Sequence, residues 1–392
     1  MLRQGSTPLR FAHSTGALAV DQATRDAMRD AFAPLKRPPV ILQVTPTLAT
    51  GEVEMAGLWA AEATVIAGGR AMVAAANGPA ERLKRIGAEF HALPLDGRGP
   101  VAVGRNAGRL RRLIEEHDVD IVHARSREIA WAARQATRGG KALLVTSCGV
   151  DAPFRDAARD GGALIEGECI VAGSSHVRDI IAAADAEKGE RTAVIPDGVD
   201  LAAFSPTAIS GERLGRLARA WGMLEEPAPM ILAPGPIEPL RGQHVLARAL
   251  ELLGAEGRLK RMVTIIAGEA DRRSGYAEQL SAIARKSGMA GRMFLAAGIE
   301  DVPAALMLAD VVVSLPIEPL GQDQVAVMAM ALGKPIVGAA HGATAEIILD
   351  GETGRLVRPD DPAAVAAALH EMLWLSTAER AGLAEVARAR AK

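Results

Sequence analysis

The chain has 392 residues, more than a single hydrophobic core usually organises, and this length predicts two domains. Apolar residues make up 49% of the chain and charged residues 23%, a balance that excludes wholesale disorder. The formal net charge of −2 leaves no basic surplus to neutralise phosphates, so nucleic acid is not an expected partner.

Cysteine usage and hydropathy predict a cytoplasmic protein. Cys148 and Cys169 are too few for a disulfide framework or a four-ligand zinc site, and they lack the spacing of a redox motif. The first 37 residues contain no apolar core followed by a small-residue cleavage site, and Asp310 interrupts the most apolar later stretch, 304–317. Peripheral contact with the inner face of the membrane stays open, as does the oligomeric state.

In chain order, a polar, alanine-rich start gives way to short apolar runs that alternate with helical segments of mixed charge. This alternation predicts parallel sheets, whose strands are buried on both faces. The strands of the first series are predicted at 40–46, 70–76, 119–124, 142–148, 169–175 and 191–196. One intervening helical stretch carries a run of arginines, Arg105, Arg109, Arg111 and Arg112, which is typical of a solvated face and is assigned no function.

A second series of strands follows a polar stretch at 205–212. Its members are predicted at 230–235, 262–268, 292–298, 310–316 and 334–340. Two successive series predict two doubly wound, Rossmann-like α/β domains that face each other across a cleft, with a ligand at the strand carboxyl ends. We expect an N-terminal extension at 1–37, a first domain at 38–205, a second at 206–375 and a C-terminal helix at 376–392.

Several segments match one enzyme family in residue and in order. They are VDIVHARSR (119–127), VIPDGVDLAAF (194–204), ADVVVSLPIEP (309–319), ALGKPIVGA (331–339) and DGETGRLVRPDDPAAVAAAL (350–369). With these motifs the chain resembles the family-4 glycosyltransferases of GT-B fold over most of its length. The resemblance implies transfer of a sugar, with retained anomeric configuration, from a UDP- or GDP-type donor to a glycan or lipid-linked acceptor in envelope polysaccharide or lipopolysaccharide assembly. It also implies that no metal or other cofactor takes part, that the first domain binds the acceptor and that the second binds the donor.

The resemblance assigns donor-binding residues to loops of the second domain. In GPIEPLRGQ (235–243), Arg241 takes the place of the family's phosphate-binding lysine, whereas Pro236 replaces its arginine and has neither charge nor N–H. We therefore predict donor contacts from Gly235, Arg241 and Gln243. Backbone N–H groups of the loop at 322–325, including those of Gln324 and Val325, are predicted to meet phosphate at a helix start.

Two family glutamates, which contact the transferred sugar and the ribose, are replaced here by Leu320 and Met328. Apolar side chains there would leave ligand hydroxyls unpaired, at about 1–3 kcal/mol each. Glu318 is the nearby carboxylate that would substitute if the loop shifted by two residues. His123, Arg241 and Glu318 are the catalytic candidates.

The first domain departs from the family pattern at two positions. A glycine turn after its first strand keeps Gly51, a predicted donor contact, but places Glu52 where a second glycine would let a diphosphate approach. Cys148 takes the place of the histidine that faces the reacting sugar, and we interpret it as a buried residue rather than a nucleophile. Two interpretations follow: an active transferase with an unusual donor site, or an inactive relative that binds a nucleotide, a glycan or a partner enzyme.

Overall fold

The computed structural model describes residues 22–32, 35, 37–48, 52–95, 97, 99–148, 162–223, 228–255, 262–271 and 274–392. The chain forms two compact units that divide between Asp197 and Gly198. Each unit is built on one parallel sheet with helices on both of its faces.

The first unit alternates strands and helices from residue 22 to residue 197. Its elements are α1 (Gln22–Phe32), β1 (Val40–Val44), α2 (Glu52–Ile66), β2 (Arg70–Ala75), α3 (Ala80–Arg85), β3 (Glu89–Ala92), α4 (Pro100–His117), β4 (Ile121–Ala124), α5 (Arg127–Thr137), β5 (Leu143–Cys148), β6 (Cys169–Ala172), α6 (Ser175–Ala184), α7 (Ala186–Glu190) and β7 (Thr192–Val194). The seven strands are parallel in the order β3-β2-β1-β4-β5-β6-β7. The order reverses between β1 and β4, which is where doubly wound sheets bind ligands.

The second unit repeats the arrangement with a six-stranded sheet. Its elements are α8 (Gly211–Ala220), β8 (Met230–Pro234), α9 (Gln243–Ala255), β9 (Val263–Ala267), α10 (Tyr276–Lys286), β10 (Met293–Ala296), α11 (Val302–Leu308), β11 (Val311–Ser314), α12 (Gln324–Ala331), β12 (Ile336–Ala339), α13 (Gly342–Ile347), β13 (Arg355–Val357), α14 (Pro362–Leu373) and α15 (Thr377–Arg390). The strands are parallel in the order β10-β9-β8-β11-β12-β13, so the order reverses between β8 and β11.

Burial on both faces explains why the strands read as continuous apolar runs. In β8, Ile231 packs into the core beneath α9 and α14, while its neighbour Leu232 packs beneath α11 and α12. In β2, every residue from Ala71 to Ala75 is buried. Apolar side chains are therefore needed at consecutive positions rather than at alternate ones.

The two Rossmann-like domains predicted from the sequence are confirmed, and all eleven predicted strands are present. Two strands were not predicted, β3 and β13. Both lie at a sheet edge and are short, and most of their residues are only partly buried, so neither forms the apolar run that marks a central strand.

The division between the units lies at Asp197 and Gly198, earlier than the predicted boundary at 205. The reason is packing, since Val199, Ala203 and Phe204 pack against the core of the second unit. The C-terminal helix α15 also belongs to the second unit, where Ala387 is buried and the Arg390 guanidinium donates to Ile347 O at 2.7 Å.

Candidate functional sites at the carboxyl ends of the strands

The loop after β8 is held close to the neighbouring strand ends. Gly235 has a φ of 126° and Gly242 a φ of 69°, so both adopt a conformation that favours glycine. A Cβ at Gly242 would lie 1.9 Å from Leu315 O, the carbonyl of the residue that follows β11. The loop therefore passes over the point where the strand order reverses, with no room for a side chain at Gly242.

Arg241 ends a short 3-10 turn in this loop, directly before Gly242 and α9. Its side chain is 35% exposed, and Nε donates to Glu238 Oε1 at 3.2 Å. The guanidinium is thus accessible and keeps further N–H donors, because this contact uses only Nε. Gln243 is buried, and its Nε2 donates to Pro236 O at 2.7 Å, which fixes the fold of the loop. Its role in donor binding stays a prediction.

A buried carboxylate organises the loop after β11. Asp323 is 3% exposed, and its Oδ2 accepts from Ser314 Oγ at 2.7 Å and from Thr344 Oγ1 at 2.6 Å. Its Oδ1 accepts from Ala326 N at 3.1 Å and caps α12. One side chain thereby joins the end of β11, the start of α12 and the helix α13. The sequence analysis missed this role, although Asp immediately before an apolar helix is a capping signal.

The other residues that the sequence analysis selected in this region lie in the loop before Asp323 or on α12. The Gln324 side chain donates to Gly198 O at 2.7 Å, and Val325 packs at the margin of the core. Leu320 O accepts from Ala343 N at 2.9 Å, and the Leu320 side chain is partly buried, as is Glu318. Met328 is 4% exposed and lies among core residues beneath the sheet. Its side chain therefore fills the core rather than the strand ends.

In the first unit, polar side chains gather on one face of the sheet where the strand order reverses. Gln43 of β1 lies directly opposite His123 of β4. His123 Nε2 is 2.7 Å from Ser147 Oγ of β5, and Arg125 Nε donates to Gln43 Oε1 at 3.3 Å. The structure thus unites His123 and Arg125 of the predicted HARSR motif with two residues, Gln43 and Ser147, that the sequence analysis did not select.

Burial controls the charge of this polar group. It lowers the pKa of His123 well below its usual value, and the neighbouring Arg125 guanidinium lowers it further, so the imidazole is neutral at pH 7. Burial also lowers the pKa of Arg125 to about 10, against the opposing effect of the Asp197 carboxylate. Arg125 therefore keeps its positive charge at neutral pH.

Cys148 lies at the end of β5, away from this polar group. Its thiol is buried, it donates to Leu164 O at 2.9 Å, and burial raises its pKa to about 12. A thiolate is therefore disfavoured, which agrees with a core residue rather than a nucleophile. Gly51 lies outside the described residues, and nothing is described of the Glu52 side chain at the start of α2.

Two further observations on the described residues concern membrane-spanning helices and metal sites. None of their helices combines the length and the apolar character that crossing a bilayer requires. Nor do their histidine, cysteine and acidic side chains come together in groups of three that could ligate a metal ion.

Comparison with known proteins gives matches to both halves of the chain. The family model described as Glycosyltransferase Family 4 matches residues 60–203, and the model described as Glycosyl transferases group 1 matches residues 228–374. The D-inositol 3-phosphate glycosyltransferase of Xylanimonas cellulosilytica is 35% identical over 202 residues, which are 51% of this chain and 47% of that protein. The match to the corresponding enzyme of Nocardioides covers 41% of its length, so each of these two matches spans less than half of the relative.

A longer match is found with the GDP-mannose-dependent alpha-(1-6)-phosphatidylinositol monomannoside mannosyltransferase of Mycolicibacterium smegmatis. It is 29% identical over 287 residues, which cover 68% of this chain and 70% of that protein.

Among solved structures, a glycosyltransferase from Rickettsia africae has a TM-score of 0.77 at 21% identity, covering 91% of this chain and 93% of its own. Anabaena HepE, in complex with UDP and glucose, has a TM-score of 0.74 at 20% identity, covering 90% and 94%. These likenesses establish the fold. The two parallel sheets and their Rossmann-like domains define the chain as a protein of GT-B fold. By its family matches, the chain belongs to the family-4, group 1 glycosyltransferases.

The buried carboxylate of Asp323 provides a first test of the site. We expect Asp323→Asn to lower the free energy of unfolding of the second unit by about 2–4 kcal/mol, because buried hydroxyl and N–H donors lose an acceptor. Asp361→Asn is the matched control: Asp361 Oδ1 caps α14 through Ala364 N at 3.0 Å, and Asn caps helices as well as Asp does. Urea unfolding of both variants measures the difference, and equal losses would contradict the role given to Asp323.

The buried imidazole of His123 predicts a pH dependence. Because its pKa is lowered in the folded chain, the unfolded chain takes up the proton first as the pH falls below about 6.5. As the pH falls further, His123 should lower the free energy of unfolding by up to about 1.4 kcal/mol for each pH unit. Histidine NMR should show a ring that stays neutral well below pH 6.5 and whose signal is absent from His123→Gln. A His123 signal that titrates near pH 6.5 would contradict the described burial.

Proposed function

We propose that this chain transfers a sugar from a nucleoside diphosphate donor, bound at the carboxyl ends of the strands in the second unit. The proposal rests on the accessible Arg241 guanidinium in a loop that passes over the reversal of strand order in that sheet. An open α/β sheet binds its ligands at this position. Family membership supports the same reaction class.

The chemistry of the donor explains what Arg241 would contribute. When the bond between the anomeric carbon and the diphosphate breaks, negative charge develops on the leaving group. A guanidinium stabilises this charge through bidentate hydrogen bonds. Pro236 adds neither charge nor an N–H group, so the loop relies on Arg241 and on the N-terminus of α9. Binding would replace the contact between Arg241 and Glu238 with a contact to phosphate.

The donor is proposed to be of the UDP or GDP type. Anabaena HepE was solved with UDP, and the Mycolicibacterium relative is named as GDP-mannose-dependent. Retention of anomeric configuration is part of the proposal, following the family resemblance.

For the acceptor, we propose a glycan or lipid-linked molecule that meets the polar group of the first unit, within envelope polysaccharide or lipopolysaccharide assembly. The relatives are named for inositol 3-phosphate and for a phosphatidylinositol mannoside, both of which carry phosphate. The charged guanidinium of Arg125 beside a neutral His123 suits an acceptor with an anionic group.

The donor proposal is tested by calorimetry with UDP, GDP and ADP. We expect one of them to bind and Arg241→Ala to weaken that binding about tenfold or more, because a hydrogen bond to a charged group is lost. Arg216→Ala is the control: it removes a cation from the exposed surface of α8, where Arg216 pairs with Glu212, and should leave binding unchanged. If none of the three nucleotides binds, the donor site is not where we place it.

A second candidate function is binding of a nucleotide without transfer of a sugar. A separate observation supports it. The family glutamates are replaced by Leu320 and Met328, and Met328 lies in the core, where it cannot reach a ribose. Loss of two such contacts removes several kcal/mol of transition-state binding, or a rate factor of several hundred.

Turnover separates the two functions. Purified protein is incubated with UDP- and GDP-sugars, and released nucleotide is measured for the native chain and for Arg241→Ala. We expect slow donor hydrolysis that the variant loses. Nucleotide binding without any release would instead assign the chain to the second candidate.

A further inference from the structure

His341 follows β12 and directly precedes α13, but its side chain does not cap that helix. The side chains that usually occupy this position accept a hydrogen bond from the first turn of the helix. The half-buried imidazole of His341 instead turns toward the loop after β11, where Nε2 lies 2.9 Å from Pro316 O. The contribution of this side chain is therefore to that loop and not to α13.

The contact with Pro316 fixes the use of the His341 ring. A backbone carbonyl oxygen only accepts hydrogen bonds, so Nε2 of His341 carries a proton and donates it to Pro316 O. Nε2 also carries a proton in the charged imidazolium. The hydrogen bond is therefore available in either charge state of the ring.

Residues 315–320, which we call the β11 loop, have a second anchor at the start of α13. Ala343 N donates to Leu320 O at 2.9 Å. A Cβ at Gly342 would lie 2.7 Å from Leu320 O and 2.8 Å from Leu320 N, so the loop backbone packs directly on the glycine. The β11 loop is thus held at Pro316 and again at Leu320.

On its other side, the β11 loop contacts the loop that carries Arg241. Ile317 N donates to Leu240 O at 2.9 Å, and Gly242 approaches Leu315 O too closely to leave room for a Cβ. Leu240 and Gly242 are the two chain neighbours of Arg241. The β11 loop is therefore fixed between the Arg241 loop and the start of α13.

We propose that His341 is a positioning residue for the sugar of a nucleotide-sugar donor. This inference rests on the function proposed above, in which the Arg241 guanidinium binds the diphosphate. The sugar is bonded to that diphosphate, so it lies close to Arg241, and the β11 loop is a segment that packs against the Arg241 loop. Through Pro316 O, His341 holds the β11 loop at a fixed distance from the phosphates.

Glu318 shows why holding this loop matters. The side chain of Leu320 is apolar and accepts no hydrogen bond, so Glu318, two residues earlier, is the carboxylate that the β11 loop offers to sugar hydroxyls. Glu318 lies between the two anchors, Pro316 and Leu320. A loop that is already ordered loses less conformational freedom when a ligand binds, which strengthens binding.

Calorimetry with matched ligands tests the proposal on the full chain. UDP-glucose is compared with UDP, and GDP-mannose with GDP, so the difference within a pair reports the sugar. We expect His341→Ala to weaken binding of the sugar nucleotide about fivefold and to leave binding of its nucleoside diphosphate nearly unchanged, because loss of one hydrogen bond frees the β11 loop. His341→Gln should restore the affinity, since a Gln amide N–H can donate to Pro316 O in place of Nε2.

His370→Ala is the matched control. His370 is a half-buried histidine of the same unit on α14, where the centre of its ring lies 6.5 Å from that of Trp374. This variant should bind both members of each pair as the native chain does. Equal losses in the two alanine variants would overturn the proposal. So would equal weakening of the sugar nucleotide and the nucleoside diphosphate by His341→Ala.

Hydrogen exchange tests the anchor without any ligand. The Ile317 N–H, which donates to Leu240 O, should exchange about fivefold faster in His341→Ala than in the native chain or in His370→Ala. Unchanged exchange would show that His341 does not hold the loop and would overturn the inference. If the native chain binds none of the four ligands, the proposed function itself fails and this inference fails with it. If the ligands bind and His341→Ala shows no loss specific to the sugar, only this inference is wrong.

Discussion

The reversal of strand order in each parallel sheet is the constraint on which both candidate sites depend. Between β1 and β4, and again between β8 and β11, the connecting helices leave in opposite directions, so no helix covers the strand ends at that point. In the first sheet, His123 and Arg125 lie at this reversal. In the second sheet, the loop that carries Arg241 and the loop that ends in Asp323 meet there, because Gly242 closely approaches Leu315 O.

Both candidate sites contain buried polar groups. Burying such a group lowers the stability of the fold unless hydrogen bonds or ion pairs compensate for the lost hydration. Asp323 is compensated by three donors, two hydroxyls and one backbone N–H, so it makes the second site rigid. The group in the first unit is compensated less fully, since Arg125 has the Gln43 amide and the Asp197 carboxylate nearby, and its pKa still falls to about 10. A pKa that burial perturbs, at the strand ends where open α/β sheets bind ligands, supports the choice of this group as a candidate site.

The sequence predicted the features that recur along the chain, such as the strands. It did not predict the site residues that come together only through contacts between distant segments. Nine of the eleven predicted strands lie inside their sheets, where burial on both faces produces an apolar run. The two strands that were not predicted, β3 and β13, lie at edges and are mostly only partly buried. The motif that contains His123 was found, but Gln43 and Ser147 carry no local signal and become its neighbours only through strand register. The arginine run on α4 was interpreted as one solvated face, whereas in the structure Arg109 donates to Pro94 O and Arg111 donates to backbone carbonyls at the end of α5.

The burial of Met328 bears on how far this chain can follow the usual chemistry of its family. Met328 packs with Ala326, Ala329 and the strand residue Val312 in the apolar core of the second unit. A carboxylate placed there would lose its hydration and would have to gain a proton or displace α12. Asp323 at the start of the same helix already binds its donors within the protein and so is not free to contact a ribose. On the function proposed above, recognition of the nucleotide would therefore come from the Arg241 loop and from backbone N–H groups, which bind the phosphates rather than the sugar.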